Sequence, residues 1–145
     1  MKQRKHSDGT LLLSRAACPC CGYPTLDESC NYEICELCNW EDDGQGEAEA
    51  DEVRGGPNAD YSLSEARQNF LKYRVMYSPD RDTRIIAGDT SLEYETKGLL
   101  IAAFTRLLSS QCSIPEAEAE VVRLEKILRD ETTRIVREYE RRNSG

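Results

Sequence analysis

Two pairs of cysteines have the residue type and the spacing of a metal site. Cys18 and Cys21 form one CxxC pair. Cys35 and Cys38 form a second pair after thirteen intervening residues. A short hairpin can bring four such thiolates to one point, and a tetrahedron of four thiolates is the ligand set that structural zinc prefers. The spacing therefore predicts one zinc ion per chain, held by these four cysteines.

The residues around each pair suit a tight turn about a metal. Pro19 restricts the turn that enters the first pair, and Gly22 can adopt the positive φ that the chain needs as it leaves. Asn39 stands at the corresponding exit of the second pair, and asparagine tolerates a positive φ better than most residues. This agreement of turn chemistry on both sides favours a metal site over a chance match of spacing.

Iron is the main alternative to zinc, because paired cysteine knuckles with a CGY sequence also resemble those of rubredoxins. The distance between the two pairs is much shorter here than in rubredoxins, and only 7% of the residues are aromatic. A rubredoxin-like iron or thiol redox protein therefore stays the alternative function.

Three thiols remain outside the two pairs. Cys20 lies inside the first pair and Cys30 lies midway to the second. We expect both to be packing residues. The alternatives are that one of them replaces a ligand, or that the two form a redox-sensitive pair activated by the nearby metal. Cys112 lies near the end of a hydrophobic segment, so we expect it to be a small buried side chain.

The excess negative charge of the chain is concentrated in the cysteine region. The formal net charge is -8, and residues 18–60 alone carry twelve acidic residues and one basic residue. This sign argues against contact with nucleic acid or an anionic membrane, whose phosphates need a basic face, and it disfavours a nucleic-acid-associated zinc-ribbon adaptor. It favours a basic protein partner. The candidate contacts are Glu41, Asp42, Asp43, Glu47, Glu49 and Asp51.

The first three of these acidic residues have other interpretations. Glu41, Asp42 and Asp43 are consecutive and directly follow the second cysteine pair and Trp40. They could form a cation site, or they could belong to a solvated loop that covers the second knuckle.

Catalytic chemistry has little support in the sequence. The one histidine, His6, lies in a basic N-terminal segment, and the chain contains no nucleophile elbow, phosphate loop or zinc-protease motif. Four thiolate ligands would also leave zinc no open position for water. We therefore predict that the protein is not an enzyme.

The leucines at positions 11–13 superficially resemble an export signal. Such a signal needs roughly 7 to 15 apolar residues, and this run has only three leucines. No segment approaches the roughly 20 apolar residues that a membrane span needs. We therefore predict a cytoplasmic protein, with no membrane partner. Cysteines are usually reduced in that compartment, which again favours metal binding over disulfides.

The elements that must position the cysteines change character along the chain. Residues 1–17 are predicted to be a basic tail, residues 18–75 a cysteine module with an acidic loop and a first helix, and residues 76–145 a helical C-terminal region. Cysteine, glycine, proline and aspartate punctuate the module, which predicts loops, tight turns and one or two short strands, with residues 31–35 as the best strand candidate. The acidic loop at residues 41–58 has almost no apolar content and is predicted to be exposed.

Three helices are predicted after the acidic loop. The first is capped by Ser62 and Glu65 and presents an apolar stripe of Leu63, Ala66, Phe70 and Tyr73. The second spans residues 98–108 and is apolar on nearly all sides, which indicates a buried helix. A brief strand at residues 84–87 is predicted between these two helices.

The third helix is long and amphipathic, from about residue 115 to 141. Ser113 and Glu116 have the spacing of a capping box at its start, and we expect it to pack on the second helix as an antiparallel hairpin. The alternative is a dimer seam along this helix, which acidic Glu131 on the apolar stripe weakens. The chain is therefore expected to be a monomer or a dimer through its C-terminal helix.

Together these elements predict an α+β and mostly helical fold. An N-terminal zinc-ribbon-like module with two knuckles is expected to pack on about three α-helices as one compact unit, with the last helix long and amphipathic.

Four motifs, in this order and spacing, resemble the cysteine-rich CPCC family of small bacterial proteins over residues 18–73. They are CPCCGYPTL, YEICELCNWEDD, GGPN and SLSEARQNF. The resemblance places the four predicted ligands on the family's recurring cysteines and Cys20 on the extra cysteine that gives the family its name, whereas Cys30 departs from the pattern.

The resemblance implies a small metal-binding domain without an established enzymatic activity. Such domains look similar to parts found in bacterial toxin and immunity neighbourhoods. The most concrete expectation is therefore an immunity protein that neutralises a basic toxin through its acidic surface.

Overall fold

The computed structural model describes residues 12, 14–109 and 114–144 of the chain, and the predictions for His6, Cys112 and Ser113 lie outside these residues. The chain divides into two compact units, Met1–Arg81 and Asp82–Gly145. The described part is mostly helical, with a small two-stranded hairpin and a four-cysteine cluster followed by three helices, of which the last is long. This is the predicted class of fold.

The first unit begins with a short hairpin that carries the first cysteine pair. Strand β1 (Ala16–Ala17) pairs antiparallel with strand β2 (Pro24–Leu26), and the turn between the strands contains Cys18 and Cys21. Single turns of 3-10 helix follow at Glu47–Glu49, Gly56–Asn58 and Pro79–Arg81. The strands thus fix where the first pair of sulfurs lies.

The strand predicted at residues 31–35 is wrong. This segment contributes only an isolated bridge between Ile34 and Glu41. Cys30 and Tyr32 both have a positive φ, of 56° and 58°, and Cys35 already begins the turn of the second pair. These residues therefore leave no extended run long enough for a strand.

Helix α1 (Leu63–Tyr73) begins at the predicted cap, where the Ser62 hydroxyl accepts a hydrogen bond from the backbone N–H of Glu65 at 3.0 Å. The Glu65 carboxylate does not return to the cap as a full capping box requires, because it forms an ion pair with Arg81. The predicted stripe is buried except for Tyr73, which is 37% exposed. Asn69 is buried on this helix instead, and its amide donates to the carbonyl of Met76 at 2.8 Å.

The acidic loop is not fully exposed, which corrects the prediction. Asp42, Gln45 and Asn58 are buried within it. The Asn58 side chain accepts from the backbone N–H of Glu41 and donates to its carbonyl, both at 2.9 Å. The loop therefore folds around polar side chains that satisfy its own backbone groups, a device that hydropathy does not reveal.

The second unit is a hairpin of helix α2 (Ser91–Ser109) and helix α3 (Ile114–Asn143). The hydroxyl of Thr90, just before α2, donates to Glu131 in the second half of α3 at 2.8 Å, so the helices run antiparallel as predicted. Helix α2 begins seven residues earlier than predicted, because Thr90 and Glu93 form a reciprocal capping box. None of the described helices is long and apolar enough to cross a membrane.

Helix α2 is not buried on all sides, because Leu99 and Leu108 are 56% and 53% exposed. The apolar stripe predicted on helix α3 comprises Val121, Leu124, Leu128, Ile135 and Tyr139, and all of it is buried except Tyr139, which is 48% exposed. Glu131 is buried on the same stripe, where the Arg134 guanidinium donates to its carboxylate at 2.7 Å. This ion pair allows an acidic residue to occupy an apolar row.

The strand predicted at residues 84–87 is also wrong, because this segment folds around a buried ionic network. The Asp82 carboxylate accepts from the Arg84 guanidinium at 2.7 Å and from the backbone N–H of Gly88 at 2.9 Å. The Asp89 carboxylate accepts from Arg84 at 2.7 Å and from Lys97 of α2 at 3.0 Å. Since the side chains of Asp82, Asp89 and Lys97 are at most 5% exposed, the network fixes the loop to α2.

Candidate metal centre

The two cysteine pairs lie in turns with the same backbone hydrogen bonds. In the first turn the N–H of Gly22 donates to the carbonyl of Cys18 at 2.8 Å. In the second the N–H of Asn39 donates to the carbonyl of Cys35 at 2.9 Å. Gly22 and Asn39 have φ angles of 82° and 72°, so both exit residues adopt the positive φ that their types favour.

A second bond closes each turn at its base. The N–H of Cys18 donates to the carbonyl of Tyr23, and the N–H of Cys35 donates to the carbonyl of Trp40, both at 2.9 Å. Each turn is thus a knuckle that carries its two sulfurs on the same side. We call these turns the first and second knuckle.

The knuckles face each other and bring four sulfur atoms together. The Sγ atoms of Cys18 and Cys38 are 3.6 Å apart, and those of Cys21 and Cys35 are 3.8 Å apart. All four sulfurs lie within 4.8 Å of one another. Zinc–sulfur bonds of about 2.3 Å in a tetrahedron place the sulfurs about 3.8 Å apart, so the four-cysteine group could hold one metal ion.

The site is shielded from water and supplies donors to its sulfurs. Cys18, Cys35 and Cys38 are at most 1% exposed. The Sγ of Cys35 accepts from the backbone N–H of Cys38 at 3.4 Å, and the Thr25 hydroxyl lies 3.1 Å from the same sulfur. Donors of this kind stabilise a thiolate, which is the form that binds a metal.

The four thiols do not titrate alike. Burial, together with hydrogen bonds from neighbouring cysteines, raises the pKa of Cys21 well above its ordinary value. Burial also acts on Cys35, but hydrogen bonds from the other three cysteines and from Thr25 hold its pKa well below the ordinary value. A bound cation would supply the positive charge that stabilises the thiolate form of all four cysteines.

Residues 16–86 match the family model described as Cysteine-rich CPCC. This segment is a cysteine-rich CPCC domain. The match extends thirteen residues beyond the end of the resemblance at residue 73 and reaches into the loop organised by Asp82. No curated protein and no solved structure matches the chain.

In the CPCC domain, Arg67 of α1 fixes the first knuckle from outside. Its Nε donates to the carbonyl of Pro19 at 2.9 Å, and its guanidinium pairs with Glu47 of the acidic loop at 2.6 Å. One side chain therefore ties the knuckle, the loop and the helix together. This role could not be predicted from the sequence, because Arg67 and Pro19 lie 48 positions apart and no local pattern links them.

The second knuckle of the CPCC domain is fixed by the chain that follows α1. The N–H of Met76 donates to the carbonyl of Cys38 at 2.8 Å, and the Met76 carbonyl accepts from buried Asn69. This contact spans nearly forty positions of sequence, so no local pattern predicts it.

Of the two extra thiols in the domain, Cys20 is 7% exposed and interacts with the thiol of Cys38, whereas Cys30 is exposed. Both are free thiols, so the two are not joined by a disulfide. The packing role expected for Cys30 is wrong. Its backbone N–H instead donates to the Asp42 carboxylate at 2.7 Å, and this bond holds the chain in a positive-φ turn.

The acidic residues predicted to contact a partner do not form one continuous surface. Asp42 is 4% exposed and accepts from the N–H groups of Cys30 and Gly44, so its carboxylate is part of the fold. Glu41, Asp43 and Glu49 are half-buried, and Glu47 and Asp51 are exposed. Glu52, which the prediction omitted, is exposed beside Asp51. The accessible negative charge therefore lies mainly at residues 47–52.

Proposed function

We propose that the CPCC domain binds one structural zinc ion through Cys18, Cys21, Cys35 and Cys38, and that the protein is a non-catalytic protein-interaction module. The observation that carries the proposal is the set of four largely buried sulfurs at distances suited to a tetrahedral ion. Four protein ligands complete the coordination of zinc, which leaves no position for a catalytic water.

The charge of the domain supports a basic protein as the partner. Residues 18–60 carry twelve acidic residues against one basic residue, and the exposed charges concentrate at residues 47–52. An acidic surface of this kind accelerates association with a basic protein and makes binding sensitive to salt. In its most concrete form the protein is a bacterial immunity protein that covers the basic cleft of a toxin.

Metal content tests the first part of the proposal. We expect the purified full chain to contain one colourless zinc ion, and the Cys35→Ser variant to lose most of it. Cys30→Ser is the matched control, because Cys30 is exposed and lies outside the four-sulfur group. A red protein with one iron per chain and a reversible potential would instead support the rubredoxin-like function.

An immunity protein is expected to be encoded directly beside its toxin, so the partner is tested with the product of the neighbouring gene. Co-expression should rescue growth, and Asp51→Lys with Glu52→Lys should weaken complex formation and its salt dependence. The matched control reverses the same two residue types on α3, with Asp130→Lys and Glu140→Lys, both exposed. If the wild type does not rescue growth, or if both double variants bind equally well, the immunity role is ruled out. The proposal that the domain binds zinc would not be affected by either result.

A further inference from the structure

Helix α2 is apolar on two different faces, and only one of them packs within the second unit. Leu100, Phe104 and Leu107 are at most 2% exposed. Leu92 and Leu99 lie outside this buried face, with 46% and 56% of their surface exposed. A two-helix hairpin can cover one face of each helix, so this second apolar face is left to solvent.

Leu92 and Leu99 belong to one row along this face, and the exposed Tyr94 and Leu108 of α2 lie outside it. Its members follow one another at intervals of three or four residues, the spacing that aligns side chains on one side of a helix. They are Leu92, Glu95, Leu99, Ala102 and Arg106, and all five are exposed. We call them the α2 row.

The two charged members of the α2 row have no ion-pair partner among the residues that the structure describes. Helix α3 differs, because charges on its outer side pair within the helix. Examples are Arg123 with Glu120 at 2.6 Å and Lys126 with Asp130 at 2.8 Å. The outer side of α3 is therefore already suited to water, whereas the α2 row combines exposed leucines with unpaired charges.

We propose that the α2 row is the contact surface for a second copy of this chain. A two-fold axis across the middle of α2 would run the two helices antiparallel and bring the same row of each copy together. With that axis between Leu100 and Ile101, Glu95 and Arg106 are equally distant from it, so Glu95 of one copy faces Arg106 of the other. Leu99 and Ala102 are likewise equally distant, so the leucine packs on the small alanine of the second copy.

Charge complementarity selects a second copy as the occupant of this face. The α2 row carries one acidic and one basic residue at mirrored positions, so it is complementary to itself when reversed. A strongly acidic partner would repel Glu95, and a strongly basic partner would repel Arg106. The resulting assembly is a four-helix arrangement with α2 helices at its centre.

Sedimentation of the full zinc-loaded chain over a micromolar concentration range tests the proposal. We expect a dimer, and we expect Leu99→Glu to raise its dissociation constant by about 30-fold or more, as for a hot-spot residue. Leu71→Glu is the matched control, because Leu71 is 76% exposed on α1 and lies outside the α2 row, and it should leave the dimer intact. Far-ultraviolet circular dichroism verifies that each variant keeps its helices.

Exchange of the two charges tests the antiparallel arrangement. Glu95→Arg and Arg106→Glu should each weaken the dimer, and the double variant should restore it. Glu140→Arg on the exposed side of α3 should have no effect. A monomeric wild type, a dimer indifferent to Leu99→Glu, or a double variant that stays dissociated would overturn the proposal.

Discussion

The cysteine module and the helical hairpin maintain their structures by different means. The module has strands of two and three residues, and its knuckles depend on backbone hydrogen bonds and on four converging sulfurs. The hairpin consists of helices of 19 and 30 residues that pack on an apolar face. A metal can thus replace the regular structure that a small irregular region lacks, whereas the hairpin depends mainly on the packing of its helices.

The largest expected effect is the loss of the module when the metal is removed. Structural zinc contributes roughly 10 to 16 kcal/mol of apparent binding free energy in zinc-finger peptides, and that energy is coupled to folding. A chelator, or Cys38→Ser, should therefore unfold the module and leave α2 and α3 helical. Emission from Trp40, the one tryptophan of the chain and fully buried in the module, should shift to longer wavelength.

Far-ultraviolet circular dichroism in the same experiment measures the hairpin. Most of the helical signal should persist, and Cys30→Ser should change neither signal because Cys30 is exposed and outside the cluster. If the helical signal disappears together with the tryptophan shift, the two regions do not fold independently and the contrast between them is wrong.

A smaller effect is expected when the packing of the hairpin is damaged. Phe104 is fully buried in α2, and truncation of a buried phenylalanine costs about 3 to 5 kcal/mol. Phe104→Ala should lower the free energy of unfolding of the hairpin by this amount and leave the metal content unchanged. Tyr139→Ala is the control, because this aromatic residue of α3 is 48% exposed. An equal loss in both variants would contradict the role of packing.

The ionic network gives the hairpin region a dependence on pH. Burial opposes ionisation of Asp82, but hydrogen bonds from Arg84 and from the Gly88 N–H hold its pKa below the ordinary value. The stability that it contributes is therefore present above the unfolded pKa of about 3.9 and is lost as pH falls through the lower folded pKa. Asp82→Asn should cost about 1 to 3 kcal/mol at neutral pH.

The free energy of unfolding is measured by denaturant unfolding, with the helical signal as the readout. In the Asp82→Asn variant it should fall less as the pH is lowered than it does in the wild type. Asp130→Asn on α3 serves as the control, since this carboxylate is 67% exposed and its ion pair with Lys126 spans one turn of the same helix. A wild-type stability that does not fall below pH 4 would show that the network does not stabilise the folded loop.

The smallest effect concerns a single backbone angle in the first knuckle. Gly22 has a φ of 82°, in the region that costs a residue with a side chain about 1 to 2 kcal/mol. Gly22→Ala should destabilise the module by about that amount, measured by Trp40 emission in denaturant. Gly46→Ala is a close control, because an added Cβ would meet no atom within 4 Å at either glycine and only Gly22 has a positive φ. Equal stability of both variants would contradict the strain argument.

The sequence was most informative where structure is local. Each knuckle depends on two cysteines and one exit residue within five positions, so Gly22 and Asn39 could be predicted from residue type alone. The start of α2 was missed although its signal was present, since Thr90 and Glu93 have the spacing of a capping box. Hydrophobicity outweighed capping in that prediction.

Other features could not be read from the sequence because distant residues create them. The carbonyl acceptors of Arg67 and Met76 lie 48 and 38 positions away along the chain. Asp42 resembled a surface charge until the fold placed two backbone N–H groups against its carboxylate. Partners of this kind depend on tertiary structure, which composition and periodicity do not encode.

Arg67 joins the first knuckle to the acidic loop, and this contact couples the ordering of one region to the ordering of the other. Because one guanidinium donates to both Pro19 and Glu47, ordering of the knuckle by a metal also favours one arrangement of the loop. The metal then raises the affinity of any molecule that binds this arrangement of the loop. By linkage, that molecule raises the affinity of the protein for the metal by the same factor. The metal would then act as an effector of the surface as well as a structural element.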